Sequence, residues 1–353
     1  MRIAVAMSGG LDSTVAALLL KDRGHEIVGL TALLHDGPDG GYPPDTLHDP
    51  VAGARAMAAR LGIEHYELDL RKRFGRDVVD PFCEEYSRGR TPSPCIRCNA
   101  FIKFGALADR ARELGCDLLA TGHYARVGRV GEGRYFISRG ADRGKDQSYF
   151  LFMLTQEALA MVAFPLGGLT KESVRVMAAG RGLPARERPE SQEICFVPDN
   201  DYPGFIEKQA APSPPPGDIV DPDGKVIGRH RGIHRYTIGQ RRGLGIAAPR
   251  PLYVAEIDPL MNRIIAAPVD ALYKTGLIAR DISFMKAASL HKLRVWAQIR
   301  STQEPFAAVL SEEEGALAAR FEKPQKGVSP GQAAVFYDAA GDVLGGGWIE
   351  RGF

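Results

Sequence analysis

Long hydrophobic runs are absent from this chain of 353 residues: no stretch reaches the roughly 18 apolar residues that a membrane-spanning helix needs. The sequence near the N-terminus contains a motif with an acidic residue, Asp12, which is unlike a signal peptide. Cysteine is scarce, with five in the whole chain. Without an export signal, so few cysteines favour a reducing compartment, where they are catalytic, metal-binding or buried rather than crosslinked. We therefore expect a cytoplasmic protein without a membrane partner.

An excess of charge of one sign is lacking as well. The 45 basic residues nearly cancel the 43 acidic ones, so only the local distribution of charge can indicate a partner. The apolar content of 44% and the charged content of 25% are ordinary for a folded domain and do not indicate disorder. The length suits two or three domains, and we expect a monomer.

Short apolar runs alternate with helical patterns over the first 200 residues. Strands are predicted at 2–7, 25–34, 63–70 and 116–124, and helices at 12–23, 49–61, 74–88 and 101–114. This alternation predicts an α/β fold with a doubly wound, mostly parallel sheet. Beyond about residue 200, short strands and turns predict a small β-rich middle module and a C-terminal β-barrel. The predicted domains are 1–205, 206–270 and 271–353.

The sequence MSGGLDST, residues 7–14, joins the first predicted strand to the first helix. Its two glycines allow a close backbone approach, and N–H groups at a helix N-terminus attract anions such as phosphate. The hydroxyls of Ser8, Ser13 and Thr14 are expected to add donors. The spacing matches neither Gly-x-x-x-x-Gly-Lys-Ser/Thr nor Gly-x-Gly-x-x-Gly. A plain capped turn between strand and helix stays an alternative.

Residues 8–13, SGGLDS, resemble the PP-loop of the N-type ATP pyrophosphatases. The resemblance implies that this loop binds the pyrophosphate part of ATP and that AMP is transferred to an oxygen atom of the substrate. Asp12 suits a contact with magnesium, since hard cations take oxygen ligands. ATP and Mg²⁺ are therefore the expected cofactors.

Cys95 and Cys98 form a C-x-x-C motif in a Pro- and Gly-rich loop before the helix predicted at 101–114. A structural zinc site would need a second pair, and a thioredoxin-type redox pair would need that fold. Cys195 lies among polar residues and is expected to be exposed and reactive. Arg90 precedes the C-x-x-C pair and Arg97 lies within it, and we expect a basic site that lowers the pKa of the thiols.

Five motifs, in this order, resemble those of the tRNA-specific 2-thiouridylases. They are SGGLDS at 8–13, RTPSPCIRCN at 90–99, ATGHY at 120–124, KDQSYFLF at 145–152 and SQEICFV at 191–197. The resemblance covers essentially the whole chain. It implies ATP-dependent conversion of the wobble uridine of certain tRNAs to 2-thiouridine. The implied partners are the tRNA anticodon loop and a protein that donates or relays sulfur.

The resemblance also implies roles for single residues. Cys98 would be the nucleophile, Cys195 the carrier of a persulfide sulfur, and Asp12 a member of the catalytic loop. The implied nucleotide-binding residues are Ala6, Met7, Ser8, Gly9, Gly10, Leu11, Asp12, Ser13, Ala32 and Gly122. The implied tRNA contacts are Ser93, Pro94 and Cys95 at the target base, Lys145, Asp146 and Gln147 at the anticodon loop, and His123, Arg300, Ser301 and Gln332 elsewhere.

The C-x-x-C pair is a departure, because some members of the family carry Asp-x-x-Cys at that position. Together, Cys95, Cys98 and Cys195 can hold a [4Fe–4S] cluster with one open iron. Two other routes use a persulfide on Cys195, which either delivers its sulfur directly or yields hydrosulfide when Cys98 forms a disulfide with it. The sequence leaves all three routes open.

Residues 228–250 hold six arginines and two histidines without an acid. Arginine binds phosphate bidentately and phosphates dominate nucleic-acid affinity, so we expect this run, with Arg241 and Arg242, to bind tRNA. Two other functions compete. A PP-loop ligase that adenylates a small carboxylate would leave the arginines and cysteines unexplained, and a non-catalytic RNA-binding protein would leave the cysteines unexplained.

Overall fold

The computed structural model describes residues 1–36, 49–131, 133–183, 194–209, 214–313 and 315–353. Residues 191–193 of the predicted SQEICFV motif lie outside the described residues. The chain forms two units. The first comprises Met1–Val78, Cys95–Phe196 and Ala340–Leu344, and the second comprises Val79–Pro94, Val197–Ala339 and Gly345–Phe353.

Strands and helices alternate along the first half of the chain, as the apolar pattern predicts. In order they are β1 (Arg2–Ala6), α1 (Leu11–Asp22), β2 (Glu26–Leu33), α2 (Pro50–Leu61), β3 (Glu64–Asp69), α3 (Arg71–Phe74), α4 (Asp80–Ser87), α5 (Pro94–Arg97), α6 (Ala108–Glu113), β4 (Leu118–Ala120), β5 (Ala125–Arg129), β6 (Tyr135–Arg139), α7 (Gln156–Ala160), β7 (Val162–Ala163) and α8 (Lys171–Gly180). Among the described helices, none is long and apolar enough to cross a membrane.

Strands dominate the rest of the chain. After α9 (Tyr202–Gln209) they are β8 (Gly217–Val220), β9 (Val226–His230), β10 (Tyr253–Asp258), β11 (Arg263–Ala267), β12 (Tyr273–Phe284), β13 (Arg294–Gln298), β14 (Phe306–Glu313), β15 (Ala316–Lys326), β16 (Ala333–Tyr337) and β17 (Val343–Gly352).

The first unit is built on a parallel sheet with the strand order β3-β2-β1-β4-β7, which confirms the predicted α/β fold. Ile3 and Val5 of β1 are buried with Val15 of α1 in one apolar cluster, so burial fixes the helix on the sheet. From the central strand β1, the chain adds β2 and then β3 on one side of the sheet and later adds β4 on the other side of β1. Ligands of such sheets bind outside the carboxyl ends of the strands at this switch point, here β1 and β4.

Two predicted helices have different boundaries in the structure. The helix predicted at 74–88 is interrupted by a π-helical turn, Gly75–Val79, before α4. Pro81 cannot donate to the carbonyl of Asp77, four residues earlier, and this carbonyl accepts a hydrogen bond from Nε of Arg97 at 2.7 Å. The break therefore has a local cause in the proline.

The prediction that Cys95 and Cys98 lie in a loop before residue 101 is wrong. Helix α5 begins at Pro94 and continues into ten π-helical residues, Cys98–Leu107, and then into α6. Proline is well tolerated in the first turn of a helix, where its missing N–H has no partner to lose. The cluster of prolines therefore precedes the helix and starts it, and both cysteines are helical.

The second unit contains two β structures. A four-stranded sheet has the order β10-β11-β8-β9, and six strands close a barrel in the order β12-β15-β14-β13-β16-β17. The sheet covers a cluster that includes Ile219, Val254 and Ile264, all fully buried. The structure thus confirms a small β-rich module followed by a C-terminal barrel.

Candidate active site

The loop after β1 turns sharply because of Gly9. Its φ of 71° lies in the left-handed region, and a Cβ at this position would come within 2.8 Å of the backbone nitrogen of Ala54 in α2. The next residue, Gly10, is the N-cap of α1 and has no side-chain capping bond. The first turn of α1 therefore has no side-chain cap on its N–H groups, and such N–H groups attract anions.

The hydroxyl groups of the loop hold its shape. Ser13 Oγ accepts from the backbone N–H of Ser8 at 3.2 Å and donates to the carbonyl of Gly10 at 3.1 Å. Thr14 Oγ1 donates to the same carbonyl at 2.9 Å. Both side chains are buried. Both hydroxyls brace the first turn of α1, and their role as donors to a bound phosphate stays a prediction.

The structure brings Gly122 against this loop. A Cβ on Gly122 would lie 2.9 Å from the backbone carbon of Asp12 and from the backbone nitrogen of Ser13, so only glycine fits. Of the other implied nucleotide-binding residues, Met7 and Leu11 have side chains buried in the core. Any contact that these two make with a nucleotide must therefore come from their backbone.

Asp12 has partners that the sequence did not indicate. Nζ of Lys171, at the start of α8, lies 2.8 Å from both carboxylate oxygens of Asp12. The hydroxyl of Tyr124 donates to Oδ1 of Asp12 at 2.9 Å, and burial raises the pKa of this phenol, with Asp12 adding to the effect. No spacing or composition links residues 12 and 171, so only the fold could reveal the pair.

Three thiols lie within electrostatic reach of one another in the first unit. Cys98 is buried, whereas Cys95 and Cys195 expose surface in a crowded setting. Burial raises the pKa of all three thiols, that of Cys195 to about 12, and negative charge on Cys98 and Cys95 adds to the rise at Cys195. The positive charge of Lys103 opposes the rise at each thiol.

The expectation that Arg90 and Arg97 lower these pKa values is therefore wrong. Nε of Arg90 bonds to Glu85 at 2.6 Å, and Arg97 donates to the Asp77 carbonyl and lies over the ring of Phe101. Their charges are engaged elsewhere, and burial outweighs the nearby lysine. Over the described ranges, no group of three or more His, Cys, Asp or Glu side chains is arranged to hold a metal ion.

The implied tRNA contacts of the first unit make internal bonds here. His123 is buried, bonds to Thr121 Oγ1 at 2.7 Å and packs against Phe104 and Phe164. Burial lowers its pKa well below 6.5. Gln147 accepts from the backbone N–H of Tyr124 at 3.0 Å.

Asp146 is the most enclosed member of this group. Its carboxylate pairs with Nε of Arg139 at 2.8 Å, with 6% and 13% of the two side chains exposed. It also accepts from the backbone N–H groups of Gly140 and Ser148 and from the Ser148 hydroxyl. These bonds fix the segment that carries Lys145 and Gln147.

In the second unit, the arginine run divides into two groups. Arg229 pairs with Asp218, and Arg235 pairs with Glu207. The other four side chains are exposed, and none has an ion-pair partner among the described residues; they are Arg231, Arg241, Arg242 and Arg250. The unpaired arginines leave positive charge available for phosphate groups.

Gln332 holds the segment that precedes Ser93. Its Nε2 donates to the carbonyls of Thr91 at 2.9 Å and Pro92 at 3.3 Å. Arg300 lies 3.5 Å from the Ser329 hydroxyl, and Ser301 is exposed. The first of these bonds ties the barrel residue Gln332 to the residues next to Ser93 and Pro94 within the second unit.

The sheet order and the glycine loop at the switch point define a nucleotide-binding α/β unit of the PP-loop type. Residues 1–199 match the family described as "tRNA methyl transferase HUP domain", residues 204–268 its "PRC-barrel domain", and residues 274–349 an "Aminomethyltransferase beta-barrel domain".

Curated relatives match along the whole chain. Proteins named tRNA-specific 2-thiouridylase MnmA from Geobacter metallireducens and Geotalea uraniireducens are each 49% identical over 99% of this chain, covering 96% and 95% of their own lengths. The one from Chloroflexus aggregans is 47% identical over 99% of this chain and 98% of its own. The chain belongs to the family of tRNA-specific 2-thiouridylases.

Proposed function

We propose that this protein uses ATP to replace the C2 oxygen of the wobble uridine of tRNA with sulfur, releasing AMP and pyrophosphate. The observation that carries the proposal is that one α/β unit contains both a glycine phosphate loop and three mutually close thiols. The family descriptions speak of methyl transfer, whereas the curated relatives are named thiouridylases. A phosphate loop with adjacent thiols suits activation by ATP followed by sulfur transfer.

The phosphate loop supports the first step, adenylation of the uridine oxygen. The N–H groups at the start of α1 and the positive end of its dipole favour the pyrophosphate part of ATP. Gly9 and Gly122 let the loop pack closely against α2 and the start of α1, where a side chain would clash with backbone atoms. Asp12 supplies a hard oxygen ligand for Mg²⁺, which is commonly held by one or two carboxylates and substrate phosphates and neutralises phosphate charge.

The thiols support the second step. A C2 carbonyl is a weak electrophile, and once its oxygen carries AMP it has a good leaving group. A sulfur anion then forms the C–S bond as the C–O bond to AMP breaks. When that sulfur is the outer atom of a persulfide on Cys195, the thiolate of Cys98 then attacks Sγ of Cys195, and the S–S bond to the outer sulfur breaks, which leaves this sulfur on the uridine. The Cys98–Cys195 disulfide that forms is reduced by two electrons from an external thiol reductant.

A [4Fe–4S] cluster on Cys95, Cys98 and Cys195 is the competing arrangement. The described residues do not present three such side chains in a metal-binding geometry, so we derive no step through a cluster. We favour the persulfide relay because the Asp-x-x-Cys pattern of some relatives lacks the first cysteine.

Binding of the tRNA is assigned to both units. The unpaired arginines, including Arg241 and Arg242, would bind backbone phosphates. Ser93, Pro94 and Cys95 would contact the target base, with Lys145, Asp146, Gln147, His123, Arg300, Ser301 and Gln332 as further contacts or supports. The wobble base must leave the anticodon stack to react. A sulfur donor protein would load Cys195, and we place this monomeric enzyme in the cytoplasm with its tRNA substrate.

One experiment separates the candidate functions. ATP–pyrophosphate exchange is measured with and without bulk tRNA, and 2-thiouridine is quantified after nuclease digestion. We expect exchange that depends on tRNA and thiouridine that depends on a sulfur donor. Exchange driven by a small carboxylate without tRNA would favour the ligase, and tRNA binding without exchange would favour the RNA-binding protein.

Cysteine variants separate the sulfur routes. Cys98→Ser and Cys195→Ser should each abolish thiolation while ATP binding survives, and Cys116→Ser, which alters another buried cysteine, is the control. In the relay, Cys95→Ser and Cys95→Asp should keep most activity. Loss of activity in Cys95→Ser in step with loss of iron and acid-labile sulfide, measured after anaerobic purification, would contradict the relay and favour the cluster.

A further inference from the structure

The carboxylate assigned to magnesium is held by a cation of the protein itself. Nζ of Lys171 lies 2.8 Å from both carboxylate oxygens of Asp12, and the Tyr124 hydroxyl donates a hydrogen bond to one of these oxygens. Nζ also lies 5.9 Å from the centre of the Tyr124 ring, which gives the ammonium a second favourable contact. In this arrangement Asp12 has no oxygen free of a donor from the described residues.

The backbone of Lys171 is held by hydrogen bonds, and its charge lies at the end of a long side chain. Thr170 caps α8 by accepting from the N–H of Ser173, and the N–H of Lys171 donates to the Asp142 carboxylate at 2.9 Å. The Lys171 side chain is 12% exposed. A lysine is a point charge on a flexible four-carbon stem, so small changes in that stem move Nζ while α8 stays in place.

The exposure of the pair indicates that it can exchange partners. Asp12 exposes 33% of its side chain, unlike the enclosed Asp146 with 6%. Water reaches the Asp12 carboxylate more than the Lys171 ammonium, which is 12% exposed, so Asp12 can change its partner without uncovering a fully buried carboxylate. A ligand with several negative charges next to the glycine loop is a stronger partner for Lys171 than the single charge of Asp12, because phosphate oxygens form charge-assisted bonds with lysine.

We propose that Lys171 is a phosphate-binding residue of the ATP site that holds Asp12 only while ATP is absent. When magnesium-bound ATP arrives, Asp12 turns to the metal and Lys171 turns to the phosphate oxygens. Before ATP binds, the charge of Lys171 balances that of Asp12. After ATP binds, Lys171 adds its positive charge to the loop N–H groups that contact the phosphates. This inference rests on the proposed function, since it assumes that ATP binds at the glycine loop.

The test is a double-mutant cycle read out as ATP affinity, measured by calorimetry with Mg²⁺ and again with EDTA. The variants are Lys171→Met, Lys171→Arg, Asp12→Asn and the double variant Asp12→Asn/Lys171→Met. Lys208→Met, which removes an exposed lysine from α9, is the matched control. Thermal unfolding without nucleotide confirms that each variant folds, and the double variant leaves neither charge without its partner.

We expect Lys171→Met to weaken magnesium–ATP binding roughly ten- to hundredfold, the loss of one charge-assisted bond, and Lys171→Arg to retain most of it. Asp12→Asn should lose only the magnesium-dependent part of the affinity. Without Mg²⁺, this variant should bind ATP at least as tightly as the native protein, because Lys171 is released.

The effect of Lys171→Met in the Asp12→Asn variant shows whether Lys171 binds phosphate itself or only positions Asp12. If Lys171 binds phosphate itself, Lys171→Met still costs about tenfold there. If Lys171 only holds Asp12, the second substitution changes nothing, and the inference is overturned while the proposed function stands. A native protein that binds no ATP overturns both.

Discussion

Replacing Arg241 and Arg242 together by glutamine should weaken tRNA binding and reduce its dependence on salt. Both side chains are exposed without an ion pair among the described residues, so each is able to displace one counterion from a phosphate. Each phosphate contact contributes roughly 0.7 to 0.9 to the slope of log K against log salt, so the slope should fall by about 1.4 to 1.8. Between about 50 and about 200 mM salt, the ratio of the native to the variant affinity for tRNA should therefore fall about seven- to twelvefold.

The assay is fluorescence anisotropy of labelled tRNA across this salt range. The matched control is Arg229→Gln with Arg263→Gln, because these arginines are already paired with Asp218 and Asp258 in the same module. Their loss should change the slope much less, since an internal carboxylate already balances each charge. An unchanged slope in the Arg241 and Arg242 variant, or the same change in the control, would refute this interpretation of the arginine run.

Two further predictions concern the first unit. Asp146→Asn should lower the free energy of unfolding by about 3 to 5 kcal/mol, because it leaves Arg139 enclosed without its counter-ion. Both variants are measured by urea titration. The control Glu172→Gln breaks the exposed pair with Arg175 and should cost less than about 1 kcal/mol. Equal losses of unfolding free energy in the two variants would contradict the stabilising role of the Asp146–Arg139 pair. Because the pKa of His123 is well below 6.5 in the folded protein, unfolding takes up a proton as pH falls below 6.5, and stability should drop there by about 1.4 kcal/mol per pH unit. His123→Phe should flatten the pH dependence of the unfolding free energy by up to that amount, and identical slopes would exclude a buried neutral histidine.

The parallel sheet and the phosphate loop could be predicted because their causes are local. The apolar strand at Arg2–Ala6 and the glycines at 9 and 10 are adjacent in sequence, and burial and left-handed backbone demand these residue types. The place of the loop at a strand end also follows from the alternation of strands and helices. The barrel was predictable only as a class, since its closure depends on pairing between distant strands.

The rest of the site depends on long-range contacts that no spacing encodes. Lys171 reaches Asp12 across 159 residues, and Asp146 is buried against Arg139 although its motif appears polar and surface-like. The Pro-rich segment before Cys98 is typical of a loop, because proline usually ends helices, yet Pro94 begins one. The sequence indicates which residue types the site contains, and these assignments stay predictions; it could not specify which charges pair with each other.

The thiols show why that distinction matters for mechanism. Burial raises the pKa of the Cys195 thiol to about 12, so less of it is ionised at neutral pH than of an ordinary thiol, and in this form it is a weaker nucleophile. Lys103 opposes the effect of burial but does not overcome it. A ligand that brings positive charge beside Cys195 would lower this pKa again and favour the thiolate that the proposed relay uses. A thiol that ionises little in the empty site and more readily in the occupied one suits an enzyme that must direct a sulfur atom to one base.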